Sequence, residues 1–231
     1  MWVDDLPPGT SWTSLWSGYI RCGECSGIRS LGDPCPACGA SLARDVEHSI
    51  RLDDGREFKV AVAYMGAETR YEDYVYLQLL EREWERMKQY SASREHMPFA
   101  AQVPAGTSLV LLFWTYFEGR IEYLLRAGLQ DIPPRFLEDA LRRYSFVGAR
   151  LRRFWKIAFD STYHSDLASL GYPDVSSHLS KVQKQRNAFV HGSPESIDDA
   201  TATSVVEMLE REHESWIAVF NLRVSRPPKI R

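Results

Sequence analysis

The stretch TSLVLLFWTYFEGRIEYLLRA, residues 107–127, decides the fold. Leu109, Leu112, Phe113, Tyr116, Phe117, Ile121, Tyr123 and Leu124 recur at helical spacing and cover most of the circumference of one helix. A helix that is apolar most of the way round belongs at the centre of a bundle. Thr107 is its expected N-cap. The longest apolar run, Ser108 to Phe117, stops at Glu118 and is too short to span a bilayer.

Outward from this helix, the flanking segments supply its partners. On the N-terminal side, Tyr74, Leu77, Leu80, Trp84 and Met87 fall at three- and four-residue steps and predict an amphipathic helix over 71–90. Residues 91–106, with Pro98, Pro104 and Gly106, read as a connector. On the C-terminal side, Pro133-Pro134 opens a helix expected to continue toward Phe159 through Leu137, Leu141, Leu151 and Trp155. Asp174 or Ser176 is expected to cap a helix ending at His191, and Pro194 introduces a last one from about Ile197 to Leu222. Before all of these, residues 49–64 alternate apolar and polar side chains around Asp54-Gly55, a hairpin signal. The expected fold is mainly α: a helical bundle of four or five helices preceded by a small β and zinc-ribbon module. Its units are 1–66 (ribbon and hairpin), 67–102 (connecting helix and linker) and 103–231 (bundle).

The four cysteines all fall in one window, Cys22-Gly-Glu-Cys25 and, after nine intervening residues, Cys35-Pro-Ala-Cys38. Two paired C-x-x-C turns bring four thiolates together, the donor set that tetrahedral Zn²⁺ prefers. Two disulfides are the competing reading, disfavoured in a reducing cytosol. A redox role for Cys22 and Cys25 lacks the βαβ context it needs. With four protein ligands the coordination is closed, so the expected role of the zinc is structural, and an open-site zinc hydrolase is disfavoured. The opening residues MWVDDLPPGT lack the positive start and apolar run of a secretory signal, so a cytoplasmic protein without a membrane partner is expected. A formal net charge of −3 excludes a globally basic nucleic-acid binder, and any RNA contact must come from a local patch.

The segment Arg186-Asn187-Ala-Phe-Val-His191-Gly192 carries the chemistry. Asn187 and His191 lie one turn apart on one helix face with Arg186 adjacent, and Gly192 suits the C-terminal cap. Metal-free RNA cleavage needs a group titrating near neutrality to move the 2′-hydroxyl and leaving-group protons, which histidine supplies. It also needs a fixed cation on the phosphate, which arginine supplies. Asn187 can orient the imidazole or the phosphate. A solvated Arg186 and a dipole-stabilised His191 are the plainer alternative. Glu118 is a second-rank candidate as an orienting carboxylate. The basic run Arg142, Arg143, Arg150, Arg152, Arg153 and Lys156 reads either as a solvated face or as an RNA-backbone contact. The basic tail from Arg223 onward and Trp2, Trp12 and Trp16 are contact candidates of unspecified partner.

Arg186, a polar residue after it, and His191 after four intervening positions, at the end of a helix in an all-helical domain, resemble the signature of the HEPN superfamily. The resemblance spans roughly residues 103–222 and leaves the cysteine module and hairpin outside. It implies a helical bundle that dimerises so that two copies of Arg186, Asn187 and His191 form one cleft. It also implies RNA cleavage without metal to a 2′,3′-cyclic phosphate, and a role as a toxin or phage-defence effector with an antitoxin or regulatory partner. Some superfamily members lack nuclease activity, so the alternative is an inactive module binding nucleotide or protein, with the ribbon as docking surface.

Overall fold

The computed structural model describes residues 19–30, 34–40, 46–51, 57–62, 71–93 and 104–225. Among them the molecule is mostly helical. Strands β1 (Tyr19–Arg21) and β2 (Ile28–Ser30) pair antiparallel, as do β3 (Val46–Arg51) and β4 (Glu57–Val62), the latter in the register Ser49↔Lys59. The helices are α1 (Tyr71–Ser93), α2 (Thr107–Gly128), α3 (Pro134–Arg143), α4 (three continuous segments, Val147–Ala149, Arg150–Phe154 and Trp155–Phe159), α5 (Tyr163–Ser169), α6 (Pro173–Val190) and α7 (Asp199–Val224). The Asp54-Gly55 turn, residues 94–103 of the connector, Trp2, Trp12, Trp16 and the tail beyond Ser225 lie outside the described residues.

Helix α2 is the central element. It packs against α1 and α7, and Leu109, Phe113, Phe117, Ile121 and Leu124 are all at or below 1% exposed, as an all-round apolar helix requires. From α1, Leu77, Leu80, Trp84 and Met87 are buried against it, while Tyr74 stays partly open. Thr107 is the first residue inside α2, and the cap position belongs to Gly106. The Gly106 amide donates to Asp199 Oδ1 at 3.0 Å, so a carboxylate from the first turn of α7 satisfies an orphan amide of α2. Only glycine fits there, because a Cβ would sit 2.2 Å from that of Ala202.

The helix expected to run from Pro134 to Phe159 is two helices. It breaks at Tyr144-Ser145-Phe146, where Phe146 takes an extended backbone (φ −81°, ψ 132°). Arg150 fastens the break, donating Nε–H to Tyr144 O at 2.9 Å and pairing through Nη1 with Glu122 of α2 at 2.9 Å. The Tyr144 ring stacks on Phe154 with centroids 5.2 Å apart. The middle of α4, Arg150–Phe154, is a π-helical turn, a form that often marks functional sites. It keeps Leu151 and Phe154 in the core and sends Arg152 and Arg153 outward.

Neither Asp174 nor Ser176 caps α6. Pro173 opens it after Tyr172, Asp174 pairs with Arg211 at 3.2 Å, and Ser176 bonds His164 Nδ1 at 2.9 Å. Its other end has the expected glycine. His191 is the C-cap, Gly192 follows at φ +102°, and the amides of Gly192 and Ser193 reach back to the carbonyls of Phe189 and Ala188. Those two crossed bonds are a Schellman motif, which fixes His191 where the helix stops. Helix α7 begins at Asp199, capped by Asp198, whose Oδ1 accepts from the Thr201 amide at 2.7 Å. It extends through Arg223, which pairs with Asp166 and so belongs to the bundle.

The cysteine module is docked on α7. The Asn221 side chain accepts from the Ile28 amide at 2.6 Å and donates to the Ile28 carbonyl at 2.7 Å, as a neighbouring strand would. Ile28, 0% exposed, enters the same core as α2. Gly27 allows this approach, since a Cβ there would meet Asn221 Oδ1 at 2.7 Å. No helix among the described residues is long and apolar enough to cross a membrane.

Candidate functional site

The two cysteine turns are built alike. In each, the amide four residues after the first cysteine bonds that cysteine's carbonyl (Ser26 to Cys22, 2.9 Å; Gly39 to Cys35, 2.7 Å). Each first cysteine in turn donates its own amide to the carbonyl five residues on, Gly27 or Ala40. Both turns require a left-handed residue, Ser26 (φ 61°) and Gly39 (φ 72°). The four Sγ atoms converge within 4.8 Å of one another. Cys22–Cys38 and Cys25–Cys35 are each 3.6 Å apart, too long for a disulfide and close to the ~3.8 Å edge of a tetrahedron with ~2.3 Å zinc–sulfur bonds. Burial pushes the Cys25 thiol well above its ordinary value, so a cation at the centre is what would hold it as thiolate. The set can hold a metal ion such as zinc, and its four protein donors leave no open position.

Arg186, Asn187 and His191 line one cleft of about 720 Å³ between α6, the start of α4 and one edge of α2. The Arg186 Nη1–H donates to Asn187 Oδ1 at 3.2 Å, so within one protomer the amide orients the guanidinium. His191 is exposed at the cleft wall, beside Val190, which is 54% exposed. Glu118 also lines the cleft, held by the buried Trp114 indole, which donates to Glu118 Oε1 at 2.7 Å. Of the basic run, Arg152 and Arg153 face this cleft, Arg150 is spent on the α3–α4 break, and Arg142 lies 3.9 Å from Asp139. Arg152 donates Nε–H to Gly148 O at 3.1 Å, which sets its direction. Burial, with the Arg152 charge added, holds the His164 imidazole below its ordinary value. Three guanidinium groups, one carboxylate and an imidazole thus share a concave surface on a chain of net charge −3.

Sequence reasoning missed several cleft residues. Gln183 stands one turn before Asn187 on the same α6 face, a spacing that could have flagged it. Gly148 brings α4 against Gln183, where a Cβ would come 2.6 Å from Nε2. Phe146 enters through the helix break, which no local signal announced.

A second polar cluster sits in the core. Arg120 of α2 and Glu212 of α7, both 1% exposed, pair at 2.7 Å, and Arg120 Nη2 lies 3.4 Å from His213 Nδ1. Because arginine only donates, Nδ1 accepts and the imidazole is neutral with its proton on Nε2. Burial and the Arg120 charge hold His213 well below its ordinary value, and burial pushes Glu212 up despite its guanidinium partner. The guanidinium lies 4.0 Å from the Trp216 ring centroid and 5.0 Å from that of Tyr116. Arg120, Glu212 and His213 are all 5% exposed or less, and together they tie α2 to α7. Comparison with protein-family models, curated proteins and solved structures returned no match.

Proposed function

We propose that the protein is a metal-independent endoribonuclease of the HEPN type, acting as a homodimer in which two copies of Arg186, Asn187 and His191 flank one scissile phosphate. The observation that carries this reading is the shared cleft: the three motif residues line one concave surface with Arg152 and Arg153. Exposure of His191 and of the apolar Val190 at its wall supports a second protomer closing over it.

In the proposed reaction one His191 imidazole takes the proton of the ribose 2′-hydroxyl, and the 2′-oxygen attacks phosphorus. The bond to the 5′-oxygen breaks, and that oxygen leaves with a proton from the His191 imidazolium of the partner subunit. The products are a 2′,3′-cyclic phosphate and a 5′-hydroxyl, with no redox change. Arg186 binds the nonbridging oxygens as charge grows on them, and Asn187 keeps it aimed. Glu118 acts at a distance, as a counter-charge on the α2 edge.

Zn²⁺ on Cys22, Cys25, Cys35 and Cys38 is assigned a structural role, holding the module against α7 through Asn221 and Ile28. Cleavage of total or transfer RNA by wild type, His191→Ala and Arg186→Ala proteins tests the reaction. Loss of cleavage in both variants, with a cyclic phosphate end in wild-type products, is expected; undiminished cleavage by both removes these residues from the mechanism. Overexpression is expected to arrest the host, and His191→Ala to relieve the arrest, as for a growth-restricting effector. An inactive binding module would do neither.

A further inference from the structure

The mouth of the cleft carries a feature that the cleavage chemistry does not use. Phe146 is 81% exposed, the highest exposure among the large apolar side chains described, yet it lines the same cleft as Arg186 and His191. Its backbone is fixed, because its carbonyl accepts from the amides of Ala149 and Arg150 at 2.9 and 3.1 Å and so starts α4. A ring held open to water on a rigid backbone leaves most of its apolar surface hydrated, at a cost in free energy. One turn further, the π-helical turn delivers Arg152 and Arg153 to the same wall, and Arg152 is aimed by its bond to Gly148 O.

We infer that Phe146 is a stacking platform for an unpaired nucleobase, with Arg152 and Arg153 holding the phosphates that flank it. The ligand is therefore a single-stranded segment of nucleic acid. A phenyl face stacks on any base that is splayed out, whereas a paired base offers only its edge. Guanidinium groups suit phosphate oxygens, which they meet with charge-assisted hydrogen bonds. The inference rests on the proposed ribonuclease reading for its substrate, but it concerns binding and can be measured apart from cleavage.

The test uses full-length His191→Ala protein, which leaves the probe intact, and a fluorescein-labelled single-stranded RNA oligonucleotide followed by anisotropy. Adding Phe146→Ala is expected to weaken binding by about tenfold, and Phe146→Trp to restore it. Arg152→Ala and Arg153→Ala are each expected to lower the slope of log affinity against log salt by about 0.7, whereas Phe146→Ala leaves the slope unchanged. A 2-aminopurine probe should be quenched by the protein with Phe146 and not by Phe146→Ala. A duplex of the same sequence should bind with no dependence on residue 146. Unchanged affinity in Phe146→Ala overturns the inference, as does a shift from dimer to monomer in that variant, which would make the ring a protein contact. If wild-type protein cleaves no RNA while these binding differences hold, the ribonuclease reading fails and the subsite stands. Cleavage that needs Arg186 and His191 but ignores Phe146, Arg152 and Arg153 has the opposite meaning.

Discussion

Replacing Glu212 with glutamine keeps the shape of the core and removes one charge, and it isolates what the Arg120–Glu212 pair does. Both side chains are 1% exposed and joined at 2.7 Å, so water does not reach the guanidinium once this carboxylate is neutral, and the buried Asp73, whose charge acts on Glu212, is the other anion of the cluster. Removing one partner of a buried pair costs about 3–5 kcal/mol, because the remaining charge stays desolvated. The Trp216 and Tyr116 rings lie close enough to return on the order of 1–2 kcal/mol by cation–π attraction, but the pair already enjoys that contact and the loss is not offset. Against a total stability of roughly 5–15 kcal/mol, Glu212→Gln should move the urea midpoint down steeply at pH 7, with helix content and tryptophan fluorescence falling together. The double variant Arg120→Met with Glu212→Leu should recover most of the loss, since an apolar pair of similar volume replaces the ions. Asp139→Asn, at an exposed pair 3.9 Å from Arg142, should change little. A Glu212→Gln protein within about 1 kcal/mol of wild type would refute the reasoning, because it would mean that the guanidinium is compensated elsewhere in the cluster, Asp73 included.

Other outcomes follow from named contacts. Gly106→Ala should lose about 1–3 kcal/mol, because its Cβ would meet Ala202 at 2.2 Å, while Gly119→Ala inside α2, where an added Cβ meets nothing within 4 Å among the described residues, should gain about 0.5–1 kcal/mol by helix propensity; thermal melts decide the signs. Burial, reinforced by Lys181, depresses His178 from 6.5 to about 4, and His164 and His213 are lowered too. The unfolded chain therefore takes up protons first as pH falls. Stability is complete above pH 6.5 and drains toward pH 4 at up to about 1.4 kcal/mol per unit per histidine, the raised Glu212 opposing it. Urea midpoints from pH 8 to 4 should show this limb, shallower in His178→Gln, and a flat profile between pH 6.5 and 5 contradicts it. Metal analysis should find zinc in wild type and none in Cys25→Ser. Asn221→Ala should keep the metal but speed hydrogen exchange at the Ile28 amide, which loses its buried acceptor.

What could be read from residue order was whatever repeats or caps locally. The α2 stripe, the paired cysteine turns, Pro134 at a helix start and Gly192 after His191 each declare themselves within a few residues, and the structure carries all of them. Contacts between distant parts of the chain were hidden. Arg120 stands on a mostly apolar helix, and nothing near it in the sequence points to its partner Glu212, 92 residues away. The break at Tyr144-Ser145-Phe146 contains no proline or glycine, and depends on Arg150 and Glu122 to hold it. The cleft could be assembled only in part: the α6 face was legible, but the arrival of Arg152, Arg153 and Phe146 opposite it depends on a break and a π-helical turn that periodicity averages away.

The clamp between Asn221 and Ile28 joins positions 193 residues apart. A ribosome delivers Ile28, beside the first cysteine turn, 193 residues before it delivers Asn221. Ile28 therefore lacks its side-chain partner until α7 has emerged, and the cysteine turns must wait for that helix before the two can clasp. Synthesis order thus makes that seam late to close relative to the cysteine turns themselves, and a nascent chain stalled short of Asn221 would display the isoleucine to chaperones.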